Sequence, residues 1–202
     1  MAENKAKVAV LVSGGGTNLQ ALIDAEKSGI IESGKISLVI SNKADAYALE
    51  RARKADIETA VVLRKDYSDA VAFEEAIKAL LTEKGIDVIV LAGFMSILTE
   101  NFTGAYPERI INVHPSLIPS FCGKGFYGLH VHEAALAKGV KVSGATVHIV
   151  TPECDAGPII LQKAVAVKQD DTPETLQRRI MEEAEWKILP LSLEKVCASI
   201  IH

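Results

Sequence analysis

The sequence predicts an α/β protein: a mostly parallel, Rossmann-like open sheet with helices on both faces and an antiparallel strand pair near the C-terminus. Three observations lead to this prediction. Short β-branched apolar runs alternate with amphipathic runs of helical period, a glycine-rich turn follows the first apolar run, and two long β-rich runs follow each other late in the chain. Alternating strands and helices are typical of parallel sheets with right-handed crossovers.

The first half of the chain alternates strand and helix. Lys7 to Val12 is a continuous apolar run, as in a strand that is buried on both faces of a parallel sheet. Thr17 and Asn18 are residue types that cap helices, so we expect a helix to follow them. The predicted strands are 7–12, 36–40, 58–63 and 87–91, and the predicted helices are 19–27, 46–54 and 70–84.

The second half begins with a fifth strand, Arg109 to His114, which Pro115 ends because proline cannot donate to a sheet ladder. Three glycines within 120–128 predict a mobile loop with exposed aromatic side chains. The remaining predicted elements are a helix at 130–138, antiparallel strands at 142–150 and 158–167, and a last helix at 173–200 with a break at Pro190.

Composition narrows the class of protein. The chain has 202 residues, which fit one domain, and a formal net charge of −4 with its Lys and Arg residues scattered. A broad nucleic-acid surface is therefore not expected. The longest apolar run, 88–98, is too short for a membrane span. Three cysteines without a C-x-x-C spacing predict free thiols in a cytoplasmic protein.

The end of the fifth strand carries two polar side chains that can do chemistry. Asn112 and His114 are two residues apart, so they project from the same face of an extended chain. An amide can hold a developing oxyanion, and an imidazole can move or offset a proton. A polar strand end with a capped histidine accounts for these residues equally well, and the heptapeptide alone leaves both interpretations open.

The glycine-rich turn at 13–18 lies between the first strand and the first helix, where backbone amides favour anions. A dinucleotide fingerprint would need a third glycine at Leu19 and an acid after the second strand, where Ser41 and Asn42 stand instead. A Walker A loop would need Gly-Lys-Ser/Thr, which is absent. The turn therefore suits a single phosphate, although a turn that binds nothing stays possible.

The turn at 151–158 holds Asp155, a residue type that is common in turns for purely structural reasons. A histidine that works near neutral pH usually has a carboxylate beside it, which gives Asp155 a functional interpretation as well. His148 is expected to be a satisfied histidine within the sheet. His130 and His132 have no third ligand, so no metal site is predicted. A solvated helix face is the interpretation for Glu182, Glu183 and Glu185.

With these stretches in place, the sequence resembles the phosphoribosylglycinamide branch of the folate-dependent formyltransferase family over nearly its whole length. The Asn-x-His-Pro-Ser-Leu element is shared across the wider family, and the other motifs point to this branch. The motifs that carry the resemblance are S-G-G-G-T-N at 13–18, S-N-K-A-D-A at 41–46, L-A-G-F-M at 91–95, I-N-V-H-P-S-L-I-P at 111–119 and D-A-G-P-I-I-L-Q at 155–162.

The resemblance implies transfer of a formyl group from 10-formyltetrahydrofolate to the amine of phosphoribosylglycinamide in purine synthesis. It implies that Asn112 holds the oxyanion, that His114 is the catalytic histidine and that Asp155 supports the charge of that histidine. We expect small-molecule substrates, no metal, no nucleic acid and no membrane, and either a monomer or a homodimer. The predicted organisation is a single domain over 1–202, with a phosphate-binding half at 1–108 and a catalytic, folate-binding half at 109–202.

The resemblance also implies two binding regions. The substrate would be held by Gly16, Thr17, Asn18 and Glu185, with the first three on its phosphate and the last on its ribose. The folate pocket would be formed by Met95, Ser96, Ile97 and Leu98 together with Asn112 and Asp155.

Three positions depart from the family pattern. Ser96 stands where many relatives carry arginine, and Trp186 stands where histidine is frequent. The loop at 120–128 is longer and more aromatic than in familiar relatives, which favours a lid over the folate. Hydrolysis of formyl folate, formylation of initiator methionyl-tRNA and non-catalytic binding of a sugar phosphate remain alternatives. Enzymes with the first two of these activities usually carry a further domain, for which we expect no room in 202 residues.

Overall fold

A computed structural model of the chain describes residues 5–201, so that residues 1–4 and 202 of the predicted domain lie outside the described part. Seven strands of this described part form one sheet in the order β3-β2-β1-β4-β5-β6-β7. The strands are β1 Ala6–Val12, β2 Gly34–Ser41, β3 Glu58–Val61, β4 Val88–Leu91, β5 Ile110–His114, β6 Val142–Ile149 and β7 Ile159–Ala166. The helices are α1 Thr17–Lys27, α2 Tyr47–Lys54, α3 Ala70–Lys84, α4 Glu100–Ala105, α5 Leu129–Lys138, α6 Pro173–Ile180 and α7 Trp186–Ile201.

Strand direction divides the sheet into two parts. β1 to β5 are parallel, whereas β6 is antiparallel to both β5 and β7. This confirms the predicted fold class, a mostly parallel sheet with an antiparallel strand pair. Because β1, β2, β4 and β5 run in one direction, their carboxyl ends meet at a single edge of the sheet. Ligands of open α/β sheets bind at this edge.

Apolar side chains are buried on both faces of the sheet. On one face, Leu22 of α1 and Leu193 of α7 belong to a buried cluster that covers the central strands. On the other face, Phe73 and Ile77 of α3 and Phe102 of α4 belong to a second cluster. Burial on both faces explains the continuous apolar runs of β1 and β4. No helix within residues 5–201 has the length and apolar character that crossing a membrane requires.

Two helical predictions are wrong. The predicted elements do not include α4, a helix of 6 residues that is too short to show a hydrophobic period. The predicted break at Pro190 is also wrong, because Pro190 lies inside α7. The helix changes instead at Met181–Glu185, a π-helical turn between α6 and α7. Such turns often occur at functional sites, and this one carries Glu185.

Candidate active site

Polar side chains share one face of the sheet at the carboxyl end of β5. Asn112 and His114 are alternate residues of that strand and so point to the same side. The antiparallel neighbour β6 places His148 opposite Asn112 and Thr146 opposite His114. Directly opposed residues of neighbouring strands also share a face. An amide and two imidazoles therefore meet at this end of the sheet.

Asp155 reaches the same place from the turn between β6 and β7. Its φ is +55°, a left-handed conformation that aspartate tolerates in turns. One carboxylate oxygen, Oδ2, lies 3.6 Å from Nδ1 of His114, and the other, Oδ1, lies 3.6 Å from Nε2 of His148. The Gly123 amide donates to Oδ2 at 2.9 Å. The carboxylate therefore lies between the two imidazoles, and we name Asn112, His114, His148 and Asp155 the strand-end cluster.

Burial and neighbouring charges set the ionisation of this cluster. Nε2 of His114 lies 2.9 Å from the carbonyl oxygen of Phe121, which can only accept, so Nε2 carries a proton. Burial lowers the pKa of His114, and the Phe121 carbonyl and the Asp155 carboxylate oppose that effect in part. Burial would raise the pKa of Asp155, but His148, His114 and the Gly123 amide together bring it down to about 2. Asp155 is thus ionised at neutral pH and can stabilise a cation at His114.

His148 belongs to the cluster, although the sequence favours a satisfied histidine within the sheet. Its Nδ1 lies 2.9 Å from the carbonyl oxygen of Ile149, and its Nε2 lies 3.2 Å from Nδ2 of Asn112. The sequence predicts that β6 pairs with β7 but does not predict that β6 pairs with β5. Without the β5–β6 pairing, the sequence does not place His148 opposite Asn112. The available signal is Thr146 and His148 at alternate positions of an otherwise apolar strand end.

The glycine-rich turn joins the end of β1 to α1. Gly16 has a φ of +71°, and an added Cβ would lie 2.6 Å from Cβ of Ala48 in α2, so only glycine fits there. Gly16 itself is the residue before the helix, and no side chain caps it. The predicted capping role of Thr17 and Asn18 is therefore wrong. Both residues lie in the first turn of α1, with Asn18 free to make other bonds.

Asn18, in the first turn of α1, contacts Glu185 in the π-helical turn. Nδ2 of Asn18 donates to Oε2 of Glu185 at 2.7 Å. Oδ1 of Asn18 is buried without a hydrogen-bond partner among the described residues. Glu185 is only 5% exposed, so the predicted solvated helix face is wrong for this residue, whereas Glu182 and Glu183 are exposed. Burial raises the pKa of Glu185 to about 7, and the hydrogen bond from Asn18 opposes that rise.

The segment at 95–98 follows β4 and exposes apolar side chains at the same edge of the sheet as the strand-end cluster. Met95 is 55% and Ile97 is 69% exposed, whereas Leu98 is buried. The backbone is fixed at Met95, whose amide donates to Oγ of Ser13 at 2.8 Å. Oγ of Ser96 accepts from Nδ2 of Asn42 at 3.1 Å. The segment is thus tied to the ends of β1 and β2, while the side chains of Met95 and Ile97 are exposed.

The loop at 120–128 contacts the cluster through its backbone. Phe121 accepts from His114, and the amide of Gly123 donates to Asp155. Phe121 and Phe126 are half-buried and contact each other with ring centroids 6.4 Å apart, whereas Tyr127 is exposed. The prediction of exposed aromatic side chains is therefore correct only for Tyr127. The backbone contacts place this loop over one side of the cluster, where a lid would lie.

With this geometry in place, comparison with known proteins identifies the family. A family model described as "Formyl transferase" matches residues 6–193. The chain belongs to the formyl transferase family. This confirms the family resemblance that the sequence motifs indicate. The match spans β1 and most of α7, and so includes the glycine-rich turn and the whole strand-end cluster.

Formyl transferase relatives match nearly the whole chain. It is 45% identical over 188 residues to "Phosphoribosylglycinamide formyltransferase" of Haemophilus influenzae, covering 93% of this chain and 85% of that protein. It is 46% identical over 200 residues to the human "Trifunctional purine biosynthetic protein adenosine-3", covering 99% of this chain and only 19% of that protein. A crystal structure of glycinamide ribonucleotide transformylase 1 from Symbiobacterium toebii has a TM-score of 0.91 and 43% identity, covering 97% of this chain and 89% of that one.

Within residues 5–201, the remaining histidines and cysteines of this formyl transferase lie outside the cluster or beside it. His130 is exposed and pairs with Glu133 at 3.0 Å. His132 is fully buried, and burial lowers its pKa to about 4. Within residues 5–201, no three His, Cys, Asp or Glu side chains are grouped so that they could hold a metal ion. The three cysteines are free thiols, as predicted.

Proposed function

We propose that this chain transfers the formyl group of 10-formyltetrahydrofolate to the amine of phosphoribosylglycinamide in purine (IMP) biosynthesis. The observation that carries the proposal is the strand-end cluster, in which an amide, an imidazole and an ionised carboxylate converge at the ligand-binding edge of the sheet. Support comes from the Haemophilus influenzae relative, which is 45% identical and bears that enzyme's name. The proposal concerns this chain alone, which spans 19% of the human trifunctional relative.

Formyl transfer to an amine needs no covalent intermediate on the protein. The amine nitrogen forms a bond to the formyl carbon, and the carbonyl electron pair moves to oxygen. The side-chain amide of Asn112 donates to this oxyanion, a contribution of about 10²–10³ in rate for one donor. The electron pair then returns to re-form the carbonyl, the bond from carbon to N10 of the folate breaks, and the proton lost by the amine ends on N10.

His114 and Asp155 manage the proton and the charge. Neutral His114 carries its proton on Nε2, so Nδ1 is the basic nitrogen and faces Oδ2 of Asp155. Because burial lowers the pKa of His114, the ring is neutral before the reaction and can take the proton from the attacking amine. The resulting cation lies beside an ionised carboxylate and near the oxyanion. The arrangement therefore stabilises the transition state more than the bound substrates.

The ribonucleotide would bind at the glycine-rich turn. Gly16, Thr17 and Asn18 lie at the N-terminus of α1, where free backbone amides favour a phosphate. The carboxyl group of Glu185 and the unpartnered Oδ1 of Asn18 can accept hydrogen bonds from ribose hydroxyls. In this proposal, the phosphate and the ribose would lie beside the carboxyl end of β1.

The folate would bind along the segment after β4. Met95 and Ile97 expose large apolar surfaces that a flat pterin ring can cover, and Ser96 and Leu98 lie between and beside them. Asn112 and Asp155 would complete the folate pocket from the strand-end cluster. Holding both ligands in place supplies several kcal/mol of the barrier reduction, since a bimolecular reaction becomes effectively unimolecular.

A spectroscopic assay tests the proposal. The purified protein is mixed with 10-formyltetrahydrofolate and phosphoribosylglycinamide, and the absorbance change on loss of the formyl group is followed. We expect turnover only when the ribonucleotide is present. Equal loss of formyl groups without an acceptor would indicate hydrolysis, and formylation of initiator methionyl-tRNA would indicate the tRNA enzyme. Binding of the ribonucleotide with no turnover under any condition would indicate a binding module.

A further inference from the structure

His148 is the member of the strand-end cluster to which the proposed mechanism gives no task. It is 2% exposed, and it lies opposite Asn112 in the pairing of β5 with β6. Its side chain approaches the proposed oxyanion donor, Asn112, and the carboxylate of Asp155. A buried imidazole that contacts two of the three proposed reacting groups is well placed to control one of them.

We infer that His148 is a positioning residue for Asn112. As a neutral imidazole with its proton on Nδ1, it accepts a hydrogen bond from the Asn112 amide at Nε2 and thereby fixes which end of the amide faces the reacting carbonyl. This inference rests on the proposed function, in which Asn112 donates to the oxyanion.

The hydrogen bonds of His148 define its tautomer. Its Nδ1 lies 2.9 Å from the carbonyl oxygen of Ile149. A carbonyl oxygen only accepts, so Nδ1 carries the proton in this contact. The neutral ring then has a lone pair on Nε2, the nitrogen that lies 3.2 Å from Nδ2 of Asn112. An amide nitrogen only donates, so donor and acceptor match at both ends of the imidazole.

A protonated His148 ring would not hold the Asn112 amide in this orientation. A proton on Nε2 would point at Nδ2 of Asn112, so two donors would face each other. The amide would then rotate to offer Oδ1 to His148, and its NH₂ group would leave its present position. Nε2 makes its shorter contact with Asn112, at 3.2 Å, whereas Oδ1 of Asp155 lies 3.6 Å away, beyond hydrogen-bond distance. The neutral ring with Nδ1–H is the state that holds the donor in place.

A fixed orientation of the Asn112 amide favours stabilisation of the oxyanion. The two ends of an asparagine amide have almost the same size, so only hydrogen bonds decide its orientation. Within residues 5–201, the Asn112 side chain makes no hydrogen bond besides the one to His148. One N–H of the amide is thus used to fix its orientation, and the second remains available. A donor that is already oriented stabilises an oxyanion without reorganisation during the reaction.

Two substitutions separate this role from a structural one, because each keeps one end of the imidazole. His148→Asn keeps a donor near the position of Nδ1 and can still bond to the Ile149 carbonyl, but it removes the acceptor for Asn112. His148→Gln extends an amide oxygen to the position of Nε2 and can still accept from Asn112. We expect His148→Asn to lower kcat about 10- to 100-fold with little change in KM. We expect His148→Gln to keep kcat within about tenfold of wild type.

The outcomes decide the inference. Equal kcat losses in the two variants, wild-type kcat in His148→Asn, or a loss that is confined to KM would each overturn it. A double variant tests the coupling, since His148→Asn should add no further kcat loss to Asn112→Ala. Circular dichroism and urea titration check that each variant folds. If His148→Asn does not fold, the comparison of His148→Gln with wild type and the tautomer measurement decide.

The tautomer measurement uses the unmodified protein. Nitrogen-15 NMR of the histidine rings reports which ring nitrogen carries the proton. We expect neutral His148 to carry it on Nδ1, which is the less common tautomer of a free imidazole. A proton on Nε2 of the neutral ring would overturn the inference. This result stands even if the wild-type protein transfers no formyl group, an outcome that would instead refute the proposed function.

Discussion

Replacing Glu185 with glutamine should stabilise the protein at alkaline pH and leave its stability nearly unchanged in acid. Glu185 is buried, and burial raises its pKa to about 7 from the ordinary value of 4.5. Glutamine has the same shape and can still accept the hydrogen bond from Asn18 through Oε1. The substitution therefore removes the ionisation of this side chain while the packing is kept.

The sign and size of the effect follow from the difference between the folded and unfolded states. Because the folded pKa is the higher one, the contribution of Glu185 to stability is fully present below pH 4.5 and is lost as the pH rises through about 7. The difference between the two pKa values corresponds to about 3 kcal/mol well above pH 7. Glu185→Gln should recover a stabilisation of that order in alkali and almost none in acid.

Urea titrations of the wild-type and Glu185→Gln proteins at about pH 4 and about pH 8.5 measure this difference. Glu183→Gln is the matched control, because Glu183 lies in the same π-helical turn but is exposed, and its free energy of unfolding should change little at either pH. The reasoning is refuted if Glu185→Gln is less stable than wild type at alkaline pH. It is also refuted if the two proteins differ by the same free energy at both pH values.

Three further substitutions have expected outcomes. Asp155→Asn removes a charge that raises the pKa of His114, the proposed catalytic histidine, so the limb of the kcat–pH profile that reports His114 should move to lower pH. If this limb does not move, Asp155 only forms the turn. Gly16→Ala should cost about 1–3 kcal/mol in urea titrations and weaken ribonucleotide binding, whereas Gly15→Ala, whose Cβ would contact nothing, should bind like wild type. Glu74→Ala removes the acceptor of the Thr99 amide, which follows the proposed folate segment at 95–98. Calorimetry should therefore show weaker folate binding, and the free energy of unfolding should fall by about 1–3 kcal/mol. Unchanged values would contradict this prediction.

Local signals predict the bounds of α3 and the end of β5 well. The bounds predicted for α3, 70–84, agree with the structure, since Asp69 caps its first turn and Gly85 ends it in a left-handed conformation. Pro115 likewise predicts the end of β5 at His114. In both places the residues that set the boundary lie next to it in the sequence, so a single sequence contains the necessary information.

Long-range pairing explains what the sequence does not predict. The place of His148 in the cluster depends on the register between β5 and β6, which no local pattern encodes. The burial of Glu185 depends on a π-helical turn and on contact with Asn18, which is 167 residues away along the chain. A run of three glutamates within 182–185 is typical of a solvated helix face, and only the tertiary contacts show that one of the three is buried.

The central claim is that the strand-end cluster stabilises charge that develops during formyl transfer. Comparing kcat with the dissociation constants of both ligands in Asn112→Ala tests it most directly. The account predicts a kcat that is about 10²–10³-fold lower, with the ribonucleotide and the folate bound as tightly as by wild type. A wild-type kcat, or a loss of activity that weaker binding explains in full, would contradict it.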